Sequence, residues 1–233
     1  MRLTPIDRKT LGRALAHFAS YLAPDTPARA AFDRIVDTNE GFDEPHDTQA
    51  HRQAARDLVT SFGIQMNDAK PATAFSWDGQ AISARSEASV LIHELAHWQI
   101  VPPSRRGLVD FGLGAGPETG YVTEADAARC TTEAVREHEE LMASMLGILW
   151  EATLGHPAIH AFIEQNWLET WERPAAGEQF QRIIDDLVSC ELIDTNAMPY
   201  PANAATAEIS IRNSGQASAE TSTIAEAGPS AGK

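Results

Sequence analysis

Apolar residues recur at helical spacing along most of the chain. Leu11, Leu15, Phe18 and Leu22 follow Thr4, Pro5 and Asp7, which suit a cap, a first turn and the positive end of a helix dipole, so a first helix is predicted. Asp25-Thr26-Pro27 repeats the start signal before Phe32, Ile35 and Val36. Ala54, Ala55, Leu58, Val59 and Phe62 predict a third helix, ended by Gly63. Between the second and third helices, the acidic, turn-rich NEGFDEPHD reads as a solvated loop. Between residues 73 and 84 the period changes: ATAFSW and QAISA flank Asp78-Gly79, a dipeptide suited to a tight turn, and predict a small β-hairpin. Ser86-Glu87-Ala88-Ser89 then opens a helix carrying Val90, Leu91, His93, Leu95, His97 and Trp98, which Pro102-Pro103 ends. GLVDFG reads as a short strand. The glycine-rich GLGAGPETG lacks the Lys-Ser/Thr ending of a phosphate loop and reads as a lid or turn. A stripe of Leu141, Met145, Ile148, Leu149 and Ala152 places a helix over about residues 124–154, and two more helices are expected near 158–171 and 179–193. The pattern predicts a mainly α (α+β) fold with a small β-hairpin or short sheet beside the helix of His93 and His97.

Composition sharpens the domain boundaries. Beyond Pro199 there is no Leu, Val, Phe or Trp, so residues 199–233 read as a disordered low-complexity tail. Residues 1–198 are expected to form one domain, with a helical N-terminal part over 1–70 and the chemistry over 71–198. The 233 residues carry 33 acidic against 18 basic side chains, a net charge of −15, and only three acids and two bases lie in the tail. An acidic body of this kind repels a phosphate backbone and predicts no nucleic-acid partner. No apolar run approaches the roughly 20 residues needed to span a bilayer, and Arg13 and His17 interrupt the one stretch that could start a signal peptide. With two cysteines and no disulfide framework, a cytoplasmic protein without membrane contact is expected. Cys130 and Cys190 have no adjacent base and read as buried thiols.

The segment His93-Glu94-Leu95-Ala96-His97 carries the chemistry. Histidines four apart on a helix stack one turn apart on one face, so both imidazoles reach one metal ion while Glu94 stands beside them as a candidate general base. A third ligand must come from elsewhere. Glu133, Glu137 and Glu140 share one helical face, and Glu140 stands at the border of the apolar stripe that begins at Leu141, which makes it the favoured ligand, with Glu137 second. Glu139 reads as part of a solvated acidic face and His138 as a surface residue. His156 and His160 are also four apart, but Pro157 marks His156 as a helix-cap residue, which turns its side chain away from His160. Two His and one carboxylate suit one divalent ion, zinc for hydrolysis or iron(II) for oxidation, and the spacing does not choose between them.

The run LIHELAHWQIVPPSRRGLVDFG resembles a segment of the elongation factor P hydroxylase family, in which a His-Glu-x-x-His-Trp helix is followed by two arginines and Leu-Val-Asp-Phe-Gly. The similarity is strong over residues 86–112 and continues weakly to 193. It implies a metal-dependent hydroxylase acting on a modified lysine of elongation factor P. The ligands would be His93, His97 and Glu140, while Trp98, Arg105, Arg106, Asp110 and Glu137 would shape the site or dock the protein substrate. HELAHW followed by EELMASMLG is also similar to antirestriction-type and gluzincin-like metallopeptidases, which implies the same ligand set on a zincin-like helical domain, with Glu94 as general base. Both resemblances select Glu140. A third reading is a non-catalytic binding module whose histidines only pack.

Overall fold

A computed structural model of the chain describes residues 6, 8–43, 45, 47–70, 73–116 and 119–202. The cap expected at Thr4, Pro5 and Asp7 and the low-complexity segment beyond residue 202 lie outside these residues. The chain divides into a body, Met1–Pro199, and a second unit, Tyr200–Lys233.

The body is mainly helical. Its elements run α1 (Arg8–Ala19), α2 (Pro27–Asp37), α3 (Gln49–Ser61), β1 (Gln65–Asn67), β2 (Ala81–Ser83), α4 (Ala88–Ile100), α5 (Val122–Ala127), α6 (Glu133–Thr153), α7 (Ile159–Glu164) and α8 (Pro174–Ser189). Thr26 and Thr48 cap α2 and α3 by accepting from the amides of Arg29 and His51, each at 3.2 Å. Phe18, Phe32, Phe162 and Phe180 form one aromatic cluster joining α1, α2, α7 and α8, with ring centroids 5.3–6.4 Å apart. α4 and α6 make the most extensive helix pair, and Trp150 of α6 donates to Gln99 of α4 at 2.9 Å. Gly147 of α6 lies against the backbone of His93, so the two helices approach closely at the first histidine. Among the described residues no helix is long and apolar enough to cross a membrane.

Several local expectations are corrected. Among the described residues the hairpin is reduced to one antiparallel bridge, Trp77 to Ile82, across the Asp78–Ala81 turn, and β2 pairs instead in parallel with β1, Met66 opposite Ile82. Asp78-Gly79 does turn the chain, with Asp78 Oδ1 accepting from the amides of Gln80 and Ala81. Two carbonyls of this arm are spent elsewhere, however: Ala74 accepts from Gly120 and Tyr121, and Trp77 from Asp110. GLVDFG is a 3₁₀ turn over Val109–Gly112 and not a strand, with Asp110 and Phe111 at φ 40° and 55°. The helix expected over 124–154 is two helices, and Thr132 caps the second. α7 ends at Glu164, where the expected helix continued to 171, and α8 begins at Pro174, earlier than the expected 179.

Two side-chain expectations change as well. The last residue of the acidic loop is not merely solvated: Asp47 accepts from the amide of Ala88 and caps α4, where Glu87 at the cap position makes no side-chain bond. Cys130 and Cys190 are exposed thiols.

Candidate metal centre

His93 and His97 sit on α4 with their Nε2 atoms 3.1 Å apart, as the four-residue spacing requires. Glu140, at the start of the inward-facing part of α6, brings Oε2 to 3.6 Å from His93 Nε2 and 3.4 Å from His97 Nε2. Ligand atoms about 2.0–2.2 Å from a tetrahedral ion lie roughly 3.4 Å from one another, so these three atoms already form one face of such a coordination shell. The donor set fits a single divalent ion: two imidazoles and one carboxylate, with a second carboxylate, Glu94, on the same helix.

Electrostatics favour an ionised Glu140. Burial disfavours the Glu140 carboxylate, but hydrogen bonds and charge from His93 and His97 outweigh it and hold the group well below the usual carboxylate range. Burial also pushes both imidazoles down. For His93 burial prevails; for His97 the bond to Glu140 and the charges of Glu140, Glu94 and Glu139 raise the pKa above its ordinary value.

The triad opens on a cavity of about 720 Å³, a size suited to a substrate side chain. His97 is almost fully enclosed, whereas the side chains of His93 and Glu140 are 25% and 34% exposed, so the open side faces the cavity. Glu94 and Glu137 line the same space, and Glu137 is exposed at the mouth and does not join the triad. The opposite wall is the 3₁₀ turn and the loop after it. Asp110 is buried and accepts from Thr119 Oγ1 at 2.6 Å and from the amide of Trp77 at 3.3 Å, while Phe111 stacks on His97 at 5.6 Å. Burial pushes the Asp110 carboxyl up, against the bonds from Thr119 and Trp77. The glycine-rich loop is tied down: Asp126 accepts from the amide of Ala115, and Arg136 donates to its carbonyl. Its Pro117 and Glu118 lie outside the described residues.

The arginine pair does not line the cavity. Arg105 is ion-paired with Glu139 and donates to the carbonyl of Phe111 at 3.5 Å, and Arg106 lies over the Trp98 ring at 3.9 Å. Glu139 is therefore not part of a solvated face, its side chain being only 14% exposed. The sequence contained a usable signal, because Glu139 extends the buried stripe of Ala143, Leu146 and Trp150 by one turn. Thr119 and Ser76, whose hydroxyls are 3.4 Å apart on the cavity wall, had no such signal, since they meet only through tertiary contacts. His138 pairs with Asp186 at the surface. His156 does not cap a helix; Ala158 holds that position, and the buried His156 ring lies 4.4 Å from that of His51. His160 stacks on Phe42. Compared with protein-family models, curated proteins and solved structures, the chain matches none.

Proposed function

We propose that this protein is a metal-dependent enzyme in which His93, His97 and Glu140 hold one divalent ion, and that it hydroxylates a side chain of a protein substrate. The observation that supports this reading is the juxtaposition of the two-His-one-carboxylate set with a cavity wall that includes Asp110 and Phe111, from the segment that resembles elongation factor P hydroxylases. Iron(II) held by this set supplies dioxygen activation, and zinc supplies an acidified water. The net hydroxylation inserts one oxygen atom of dioxygen into a C–H bond and releases the other as water, with two electrons and two protons from an external reductant.

The chain's own residues have distinct parts in this. The cavity admits the side chain past Glu137, Val90 and Leu141 give it apolar contact, and Asp110 and Thr119 offer a polar wall. Glu94 is positioned to hold or pass a proton at the open side of the triad. Enclosure of His97 and Phe111 keeps bulk water from the inner side.

A second reading, zinc peptidase, is favoured by Glu94 standing in the cavity beside the ligands, where a general base for water attack belongs. Mass spectrometry of elongation factor P from cells with and without this protein separates the two. Gain of one oxygen atom that disappears with His93→Ala supports the hydroxylase. No such gain, together with peptide cleavage that Glu94→Gln abolishes, supports the peptidase.

A further inference from the structure

Nδ1 of His97 and Oε2 of Glu139 are both buried atoms without a hydrogen-bond partner among the described residues. The two residues are linked through Arg105 and Phe111, and the charge of Glu139 is among those that act on His97. Two other carboxylates around this imidazole are committed, since Glu140 faces Nε2 and Asp110 accepts from Thr119 and Trp77; Glu94 lines the cavity. Arg105 grips the other oxygen of Glu139 and also donates to the carbonyl of Phe111, whose ring lies on His97. One guanidinium thus joins Glu139 to the residue that covers the face of the imidazole. A histidine that binds a metal through Nε2 carries its proton on Nδ1, and such ligands characteristically donate it to a carboxylate, a carbonyl or a water.

We propose that Glu139, held by Arg105, is the positioning residue of His97: its uncommitted Oε2 accepts the hydrogen bond from Nδ1–H, directly or through one buried water, and so aims Nε2 at the ion. This rests on the metal-centre reading above. It gives Arg105 of the Arg-Arg pair a role inside the protein, not at a docking surface.

The test uses the full chain with zinc and cobalt(II) as probes. Glu139→Gln is expected to bind zinc roughly 10–100-fold more weakly in chelator competition, with an altered cobalt absorption spectrum. A residue that only supports the fold would lower the melting temperature of the metal-free protein and leave affinity and spectrum alone, and that result overturns the proposal. If Glu139→Gln does not fold, histidine-selective NMR of the zinc-loaded native chain decides: a downfield, solvent-protected Nδ1 proton on His97 supports the pairing, and one exchanging freely with water overturns it. A native chain that binds neither metal at about one per chain overturns the metal centre itself. Native binding with an unchanged variant overturns only the role of Glu139.

Discussion

Asp47 accepts a hydrogen bond from the backbone amide of Ala88 at 3.0 Å, so a side chain from the loop ahead of α3 caps the helix that carries His93 and His97. Asp47 is itself held by an ion pair with Arg52 of α3. Asp47→Ala is expected to cost about 1 kcal/mol of stability in denaturant unfolding. Asp47→Asn, which keeps an acceptor, should recover most of it; equal losses would mean that the pair with Arg52, and not the cap, carries the effect.

Removal of any one ligand should abolish stoichiometric metal. His93→Ala and Glu140→Ala are expected to lose the ion, measured by metal analysis of protein purified without chelator, while Glu137→Ala retains it, because Glu137 stands outside the triad. Full occupancy in Glu140→Ala would overturn the ligand assignment. Glu94→Gln should also keep its ion and lose turnover if Glu94 handles a proton.

Two glycines near the site should respond in opposite directions. At Gly112 the backbone is left-handed, φ +69°, and an added Cβ would lie 2.6 Å from Cys130 Sγ. Gly112→Ala is therefore expected to lower stability by roughly 1–3 kcal/mol. At Gly147 an added Cβ would meet the His93 Cα at 3.6 Å, an ordinary contact, and alanine is the better helix former. Gly147→Ala should leave the melting temperature equal or higher, and a large loss there would show that α4 and α6 are packed more tightly than described.

Two buried groups outside the triad contribute to the pH dependence of stability. Burial, with the nearby charge of Glu164, pushes the Glu151 carboxyl up to about 8. Between its ordinary value of 4.5 and that point the folded protein holds a proton that the unfolded chain has released, so this contribution to stability falls as pH rises. Burial, with the charge of His51, pushes His156 down to about 4. Between about 4 and its ordinary 6.5 the unfolded chain takes up a proton that the folded one does not, so that contribution falls as pH falls. The two oppose one another below 6.5, and of this pair only Glu151 still acts above it. Glu151→Gln is expected to remove on the order of 2 kcal/mol of the stability lost between pH 6.5 and 8.5, read from denaturant unfolding at the two pH values. An unchanged slope would place the titration elsewhere.

The helices and the ligand pair were legible in the chain because helix formation and i, i+4 stacking are local. Phe18, Phe32 and Phe180 fall on buried stripes at helical period, and His93 and His97 must share a face wherever that helix packs. Glu140 was also within reach, since its place beside Leu141 is a property of one helix. The strand pairing and the site wall were not, because backbone groups satisfy whichever partner the fold brings near. The amide of Asp110 bonds Trp77, and the amides of Gly120 and Tyr121 bond Ala74, which leaves only the Trp77–Ile82 bridge of the hairpin that the Asp78-Gly79 turn signals.

By itself, then, the sequence determined a mainly helical chain with two histidines on one helix face and a carboxylate placed to join them. Only the tertiary structure decided that α4 and α6 close the triad to within 3.6 Å. Only it turned Asp110 and Phe111 into a cavity wall, buried Glu139 against Arg105, and brought Asp47 to the start of α4. The triad, the Arg105–Glu139 pair and the Asp47 cap join residues 34 to 47 positions apart in the chain, Arg105 and Glu139 at 34 and Asp47 and Ala88 at 41, and the wall ties Asp110 to Trp77 at 33. At such distances no periodicity carries information, and packing of the core alone chooses the partners.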